Sequence, residues 1–273
     1  MDNYPTARPQ SGLDKADIVF EEPVEGLLTR FAAVFQCQEA ALVGPVRSAR
    51  AMDVGILSPL GHPILVHAGG IDPVLALIDQ SSLVDVDLRT HPSVIQHVPG
   101  RQAPFDTYVS TAAMWNLEPV DHTPPAPLFA YSTSVPSGTR ASVLHIPFSS
   151  ASDVIWRYDE GRGVWLRFNG SSPNLLAGGM QVAARNVVVQ TIQITYGPWL
   201  ENSAGGLEVQ ADLVGSGPAA VFRNGVEVSG TWSRTSLSSP TDLLDSSGRA
   251  IPLAPGDTWV ELVPSITGFS ASP

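Results

Sequence analysis

The order of apolar and polar positions in the first part of the chain predicts an α/β arrangement. Residues 27–35 form a nearly continuous apolar run, which is typical of a strand buried on both faces of a sheet. A second apolar run at 63–67 ends at Gly69-Gly70, and Asp72-Pro73 then predicts the first turn of a helix. Alternation over 84–88 predicts a half-buried strand. Strand, glycine turn, helix and strand together indicate an α/β unit.

The second half of the chain reads as strands and turns. Two alternating runs flank the turn at 159–163, and Asn224-Gly225 inside an apolar stretch is a strong hairpin signal. A segment rich in proline, serine and threonine separates the two halves. We therefore predict an α+β fold class, with an N-terminal α/β domain (1–120), a linker (121–140) and a mainly antiparallel, β-rich domain (141–273).

Two side-chain classes in the β-rich half have predicted positions. The tryptophans either stack on sugars or fill the core, and the core is the favoured interpretation. Arg157 and Arg167 occupy alternating runs, which predicts cross-strand positions at the surface.

Composition limits the class of partner. The chain has 273 residues and 43% hydrophobic content, which is typical of a globular protein with a substantial core. A net charge of -11 argues against nucleic acid as a partner, because that affinity comes from basic surface. No apolar run is long enough for a transmembrane segment. The abrupt start at Met1-Asp2-Asn3 predicts that an export signal lies upstream.

The arginines around the first apolar run are the main candidates for a site. Arg30 interrupts that run, and Arg47 and Arg50 follow a Gly-Pro turn, three residues apart and on one side if the segment is helical. One interpretation is a structural ion-pair network with nearby acids, which are Asp14, Asp17, Glu21, Glu22 and Glu25. The other is an arginine-lined pocket for an anionic ligand, because guanidinium forks match carboxylates and phosphates.

His67 is the best-placed histidine for this site, as a general acid or base or as a ligand contact, because it precedes two glycines at a strand end. Those glycines allow close backbone approach to a ligand, although a plain tight turn is the favoured interpretation. The predicted ligand-binding residues are Arg8, Arg30, Arg47, Arg50, His67, Gly69 and Gly70.

Several long blocks carry a family resemblance over nearly the whole chain. They are DNYPTARPQSGLDKADIVFEEPVEGLLTRFAAVF, GPVRSAR, VHAGG, ARNVVVQ, GSGPAAVFRNGVEVSGTW and PGDTWVELVP. In this order they resemble the YerB-like family of bacterial lipoproteins, whose two domains are of unknown function. The resemblance implies a two-domain, extracytoplasmic protein of the cell envelope, anchored to the membrane through a segment outside this sequence. It implies no reaction, so whether the protein is an enzyme stays open.

A looser pattern is similar to the LytR-Cps2A-Psr phosphotransferases, which act on polyprenyl-pyrophosphate-linked glycopolymers. If that similarity held, the arginines would bind phosphates, and Asp2, Asp14 or Asp17 would hold Mg²⁺. Three functions therefore remain open: binding of an anionic small molecule or envelope glycolipid, phosphoryl or glycopolymer transfer with Mg²⁺, and a protein-interaction module in which the arginines are structural.

Overall fold

The computed structural model describes residues 1–117, 124–201 and 205–273. Within them, short 3-10 turns occur at Pro5–Ala7, Leu13–Lys15, Glu25–Leu27, Ser58–Leu60 and Pro92–Val94. The α-helices are α1 (Ala51–Leu57), α2 (Asp72–Asp79) and α3 (Thr111–Trp115). The strands of the first half are β1 (Ile18–Pro23), β2 (Thr29–Val34), β3 (Ile64–His67), β4 (Val84–Asp87), β5 (Gln96–His97) and β6 (Thr107–Tyr108).

Strands dominate the second half. They are β7 (Thr139–Arg140), β8 (Val143–Ser149), β9 (Ser152–Asp159), β10 (Val164–Asn169), β11 (Ser172–Pro173), β12 (Ala183–Ala184), β13 (Asn186–Ile192), β14 (Ile194–Leu200), β15 (Leu207–Ala211), β16 (Gly215–Arg223), β17 (Val226–Arg234), β18 (Asp242–Leu244), β19 (Thr258–Pro264) and β20 (Ser270–Ser272). The fold is thus α+β in broad terms but mainly β.

One large sheet contains strands from both halves of the sequence. Its order is β18-β17-β16-β13-β19-β1-β2, with β7 added beside β17. β1 pairs in parallel with β19, so Val19 lies opposite Trp259, and it pairs antiparallel with β2. β2 is therefore the edge strand of this sheet. Its two faces pack as the apolar run predicts, with Ala32 and Val34 against one core and Phe31 and Ala33 against the other.

Two hydrophobic cores cover the two faces of this sheet. One face packs against α1 and α2, with Phe20, Val188 and Val260 meeting Met52 and Val74. The other packs against a second sheet of order β11-β10-β9-β8-β20, with β12 beside β10. Trp156, Trp165 and Trp259 fill that second core, which confirms their predicted core positions, whereas Trp199 is only half-buried.

The predicted α/β unit is present as β3, α2 and β4. β3 and β4 pair in parallel, with Ile64 opposite Val84, and α2 begins with proline in its first turn. The segment before α1 is extended, not helical: Ala68 N–H donates to Arg47 O, and Ala49 N–H donates to Gly69 O. The helical option for Arg47 and Arg50 is therefore wrong, and α1 begins only after Arg50.

Two further features concern the predicted linker and domain boundaries. Residues 121–123 of the predicted linker lie outside the described residues, and 124–138 hold no helix or strand apart from a single bridge of Tyr131 with Leu253. The boundaries 1–120 and 141–273 remain a prediction, because β1 and β2 extend a sheet built from later strands. Among the described residues, no helix is both long and apolar enough to cross a membrane.

Candidate ligand-binding site

A cavity of about 1320 Å³ lies between the edge of the large sheet and the β3–β4 unit. β2 supplies one wall and β3 supplies the other, because the short parallel pair does not join the large sheet. Apolar side chains make up most of the wall on the α1 side, including Ile18, Ala32, Val34, Leu57, Leu60 and Leu65. The cavity thus offers apolar surface to a ligand body.

Polar side chains line the cavity beside the start of β2. Glu22 and Arg30 lie directly opposite each other on β1 and β2, and Asp53 of α1 faces them. The Arg30 Nη1 group donates a hydrogen bond to the Ser48 carbonyl oxygen at 2.6 Å. Strand alternation explains the arrangement, because every second residue of β1 and β2 points to the α1 side of the sheet.

The charges of these groups are not matched in pairs. Arg30 has no carboxylate within salt-bridge distance among the described residues, and its other N–H groups have no hydrogen-bond partner there. Burial, followed by the positive charge of Arg50, lowers the pKa of Arg30 to about 10, so the guanidinium is still charged at neutral pH. Burial, followed by the charge of Asp53, raises the pKa of Glu22 well above its ordinary value. A neutral Glu22 therefore leaves the Arg30 charge available to the cavity.

Arg50 is enclosed in an ion-pair network. Its guanidinium contacts Glu25 at 3.0 Å, Glu201 at 2.5 Å and Glu208 at 3.6 Å, and the residue is 3% exposed. Of the nearby acids that the sequence indicated, Glu25 is a partner, whereas Glu201 and Glu208 come from β14–β15, far along the chain. Because these contacts occupy the Arg50 guanidinium, it is not available to bind a ligand.

Arg47 pairs with a single acid. Its Nε lies 2.8 Å from Asp2 Oδ2, and its guanidinium lies 5.7 Å from the centre of the Phe105 ring. The Arg47 side chain is 26% exposed and lines the cavity. Burial opposes ionisation of Asp2, but Arg30, the Tyr4 N–H and Arg47 lower the pKa of Asp2 below its ordinary value. Arg47 can therefore reach a ligand only beside this carboxylate.

Arg8 lies apart from the other predicted arginines. Its Nε donates to Asn3 Oδ1 at 3.1 Å, and its main charged neighbours are Arg167 and Glu21, on the opposite face of β1 from Glu22, with Asp2 as a weaker one. Burial and the Arg167 charge lower the pKa of Arg8 to about 10. The structure therefore brings Arg30, Arg47 and Arg50 together and leaves Arg8 outside the group.

His67 and the two glycines form the turn after β3. The buried His67 ring contacts Gly69 O through Nδ1 at 2.8 Å and Asp85 Oδ1 through Nε2 at 2.7 Å, so both ring nitrogens have protein partners. Gly69 has φ +78°, and its N–H donates to Asp87 Oδ1. Neither Gly69 nor Gly70 lines the cavity, whereas His67 does. Their contacts serve the turn.

The three aspartates named as Mg²⁺ ligands have separate roles. Asp2 binds Arg47, Asp14 lies 3.9 Å from Lys15 Nζ, and Asp17 Oδ2 accepts hydrogen bonds from the N–H groups of Gln36 and Cys37. In the described part of the chain, no group of three or more His, Cys, Asp or Glu side chains could hold a metal ion. The metal site therefore stays a prediction without a supporting cluster.

The sequence indicates Glu22 only as an ion-pair candidate, and it gives no indication of Asp53. The signal for Glu22 was the pair Glu21-Glu22 at the end of an apolar run: neighbouring strand residues point to opposite faces, so two acids there imply one charge on each buried face. For Asp53 the sequence carries no comparable signal, because its position depends on how α1 packs on the sheet.

Comparison with known proteins gives consistent matches over the whole chain. Residues 1–122 match the family described as "Protein of unknown function (DUF3048) N-terminal domain", and residues 144–260 match the corresponding C-terminal domain. A Bacillus subtilis (strain 168) protein named "Putative lipoprotein YerB" is 28% identical over 285 residues, covering 100% of this chain and 82% of that protein.

A solved structure shares the fold. The crystal structure of the YerB protein from Bacillus subtilis has a TM-score of 0.83 to this chain at 24% identity, and the match covers 100% of this chain and 92% of that one. At this identity the structural likeness is informative about the fold alone.

Proposed function

Because the chain belongs to the DUF3048 family of YerB-like proteins, we propose that it is a ligand-binding protein of the bacterial cell envelope. Its cavity would hold a ligand that has an apolar body and one anionic group, with the anionic group at Arg30. The name of the Bacillus subtilis relative, which includes the word lipoprotein, supports a location outside the cytoplasm and attachment to the membrane.

The observation that carries this proposal is the state of Arg30. A half-buried guanidinium whose carboxylate neighbours, Asp2 and Glu25, lie beyond salt-bridge distance is costly, because the charge loses hydration without a direct ion pair. An anionic group in the cavity would supply that counter-charge through charge-assisted hydrogen bonds. The apolar wall beside it would then contribute through burial of the ligand body, at about 25 cal/mol per Å².

The contacts of the other arginines favour different roles. Those of Arg50 support the structural alternative, because three glutamates already surround it. Arg47, whose partly exposed side chain lines the cavity, would contribute a second contact to the anionic group of the ligand. The phosphotransferase alternative needs a metal-competent acid near Arg30, and the described residues supply no such cluster. We therefore favour binding over transfer.

The test uses two dyes of nearly the same shape. 1-Anilinonaphthalene-8-sulfonate has an apolar ring system and a sulfonate, whereas N-phenyl-1-naphthylamine lacks the sulfonate. Fluorescence titration of the native chain should give saturable binding of both. In Arg30→Met, the affinity for the sulfonate dye should fall by about tenfold or more, because a hydrogen bond to a charged group contributes about 1.5–3 kcal/mol. Affinity for the neutral dye should change little.

Arg157→Met is the matched control, because Arg157 is an exposed arginine on β9 outside the cavity. It should leave both affinities unchanged. The proposal is wrong if Arg30→Met binds the sulfonate dye as tightly as the native chain does, or if Arg157→Met loses the same affinity.

A further inference from the structure

A second cavity lies inside the core between the large sheet and α1. Its volume is about 30 Å³, so it has room for a single small ion or for roughly two water molecules. Much of its wall is apolar, including Phe20 of β1, Ile56 of α1 and Val260 of β19. Three polar side chains also line it, and they are Gln190, Thr241 and Arg234.

The side-chain amide of Gln190 is buried in this core without a protein partner. Gln190 lies on β13 between Val188 and Ile192, and all three point to the α1 face, because every second strand residue shares a face. The residue is 5% exposed, and its amide forms no hydrogen bond with any of the described residues. Burial of an amide without a hydrogen bond is costly, so buried amides normally have a partner. Gln190 therefore indicates that the second cavity holds a polar group.

Arg234 of β17 adds a positive charge to the same cavity. Its Nε donates to the carbonyl oxygens of Ser236 and Ser239. Its Nη2 donates to those of Gly55 and Leu237. All of these acceptors are neutral, and within the described ranges no carboxylate lies within 4 Å of this guanidinium, whose Nη1 has no hydrogen-bond partner there. The residue is nevertheless only 5% exposed.

This charge favours an anion over water as the occupant. Burial lowers the pKa of Arg234, as expected for a cation that loses hydration without a counter-charge. Water would complete the hydrogen bonds but would not balance the charge, and buried charges are normally paired. The groups around the cavity can all donate: the guanidinium Nη1, the Gln190 amide nitrogen and the Thr241 hydroxyl. Three donors beside an unbalanced positive charge suit an anion.

We propose that the second cavity binds one small inorganic anion, a halide such as chloride or bromide, between the Arg234 guanidinium and the Gln190 amide. The size of the cavity sets the class of anion, because sulfate and phosphate carry four oxygens and exceed this space. Gln190 and Arg234 line only the second cavity, so the proposal is independent of the ligand proposed for the larger one.

A halide at this position would strengthen the contact between α1 and the sheet. The Arg234 Nη2 group donates to Gly55 O of α1 at 2.8 Å, and Ile56 of the same helix lines the second cavity. Balancing the Arg234 charge lowers the cost of keeping this guanidinium buried under α1. Halide binding should therefore stabilise the folded chain.

Urea unfolding of the full chain tests the proposal. Sodium chloride replaces sodium gluconate at constant total sodium, because the gluconate ion is far too large for the second cavity. An anion that binds only the folded chain lowers the unfolding equilibrium constant, by about tenfold for each tenfold rise in chloride above its Kd. Bromide should act as chloride does. If neither halide changes the unfolding constant of the native chain, the proposal is overturned and water is the occupant.

Two variants assign the effect to this cavity. Gln190→Leu replaces the amide by an apolar side chain, and halide affinity should fall by about tenfold because a hydrogen bond to a charged group is lost. Arg223→Met is the control, since Arg223 is another buried arginine that donates to backbone carbonyls, those of Pro252 and Ser134, and lines neither cavity. It should lower stability but keep the native dependence on chloride. Native dependence in Gln190→Leu, or its loss in Arg223→Met, contradicts the assignment.

Anomalous scattering from crystals soaked in sodium bromide measures the position of the ion. We expect a bromide peak within hydrogen-bond distance of Arg234 Nη1 and the Gln190 amide nitrogen, and we expect Gln190→Leu to reduce its occupancy. Bromide peaks confined to the protein surface would indicate an adventitious ion only, and they would overturn the site even if halides changed the stability.

Discussion

Glu22 and Arg30 lie directly opposite each other on β1 and β2, yet their side chains form no ion pair within 4 Å. The Arg30 guanidinium donates instead to the Ser48 carbonyl, and Glu22 Oε2 has no hydrogen-bond partner among the described residues. Burial and the Asp53 charge raise the pKa of Glu22, so the carboxyl group can remain protonated when Arg30 is charged. The pair therefore leaves a net positive charge in the cavity.

The protonation of Glu22 predicts that anion binding depends on pH. Because the pKa of Glu22 is raised, the neutral form persists above the ordinary range and is lost as the pH rises further. An ionised Glu22 would repel a bound sulfonate by about 1 kcal/mol at roughly 4 Å even in water, which is about a fivefold loss. We expect the affinity for 1-anilinonaphthalene-8-sulfonate to fall as the pH rises through the range in which Glu22 ionises, above the ordinary range of a glutamate.

Glu22→Gln cannot ionise, so its affinity should stay constant over that range, and exposed Glu160→Gln should behave like the native chain. The idea fails if the native profile is flat, or if Glu22→Gln shows the same decrease. Measurements should stay below the pH at which Arg30 itself loses its proton, since its pKa is about 10.

Glu208 predicts a pH dependence of stability. Burial, followed by a hydrogen bond with Glu201, raises the pKa of Glu208 to about 8 from the ordinary value of 4.5. Below about pH 4.5, Glu208 is protonated in both the folded and the unfolded chain, so ionisation of this group does not destabilise the folded state. As the pH rises from 4.5 toward about 8, the unfolded chain loses the proton while the folded chain retains it, and stability falls.

Urea unfolding should therefore show a lower free energy of unfolding near about pH 8 than near about pH 5, at about 1.4 kcal/mol per unit of pKa difference as an upper bound. In Glu208→Gln the amide can still accept from Ala51 N–H, as Glu208 Oε1 does at 2.7 Å, but it cannot ionise. The decrease should become smaller in this variant. A decrease of the same size in Glu208→Gln would assign the effect to other groups.

Local sequence patterns were sufficient for many elements. Asn224-Gly225 joins β16 and β17, as predicted, because both residues adopt positive φ values of 53° and 71° that suit a tight hairpin turn. The β3–α2–β4 unit also forms where the apolar pattern and the Asp72-Pro73 helix start place it. These elements depend on residues that are near one another in the sequence, so a local pattern contains the necessary information.

Long-range pairings were not accessible in this way. The sequence does not show that β1 pairs with β19, or that Glu201 and Glu208 reach Arg50 from a distant hairpin. Alternation in β10 identifies two faces but not which face another sheet will cover, so the predicted surface position of Arg167 is wrong: the residue is 0% exposed. The position of a charge in the core depends on a partner that only the assembled fold supplies.

The buried pair of Arg167 and Glu21 connects the two sheets. Arg167 Nη2 on β10 lies 2.8 Å from each carboxylate oxygen of Glu21 on β1, and both side chains are 0% exposed. Arg167→Met leaves Glu21 buried without its counter-charge, which typically costs about 3–5 kcal/mol. We expect a loss of that size in urea unfolding, with Arg157→Met on the neighbouring strand close to the native value.

The double variant Glu21→Gln/Arg167→Met tests the cause of this loss. A neutral amide no longer needs a counter-charge, and it can still accept the hydrogen bond that Trp259 Nε1 donates to Glu21 Oε2 at 3.3 Å. At least half of the lost free energy should therefore return; a double variant as unstable as Arg167→Met would mean that packing, not the uncompensated charge, is the cause.

Because Glu21 lies in the segment that matches the N-terminal family domain and Arg167 in the segment that matches the C-terminal one, this pair also predicts one shared unfolding transition. Two separate transitions in the native chain, by tryptophan fluorescence and by far-ultraviolet circular dichroism, would contradict that coupling.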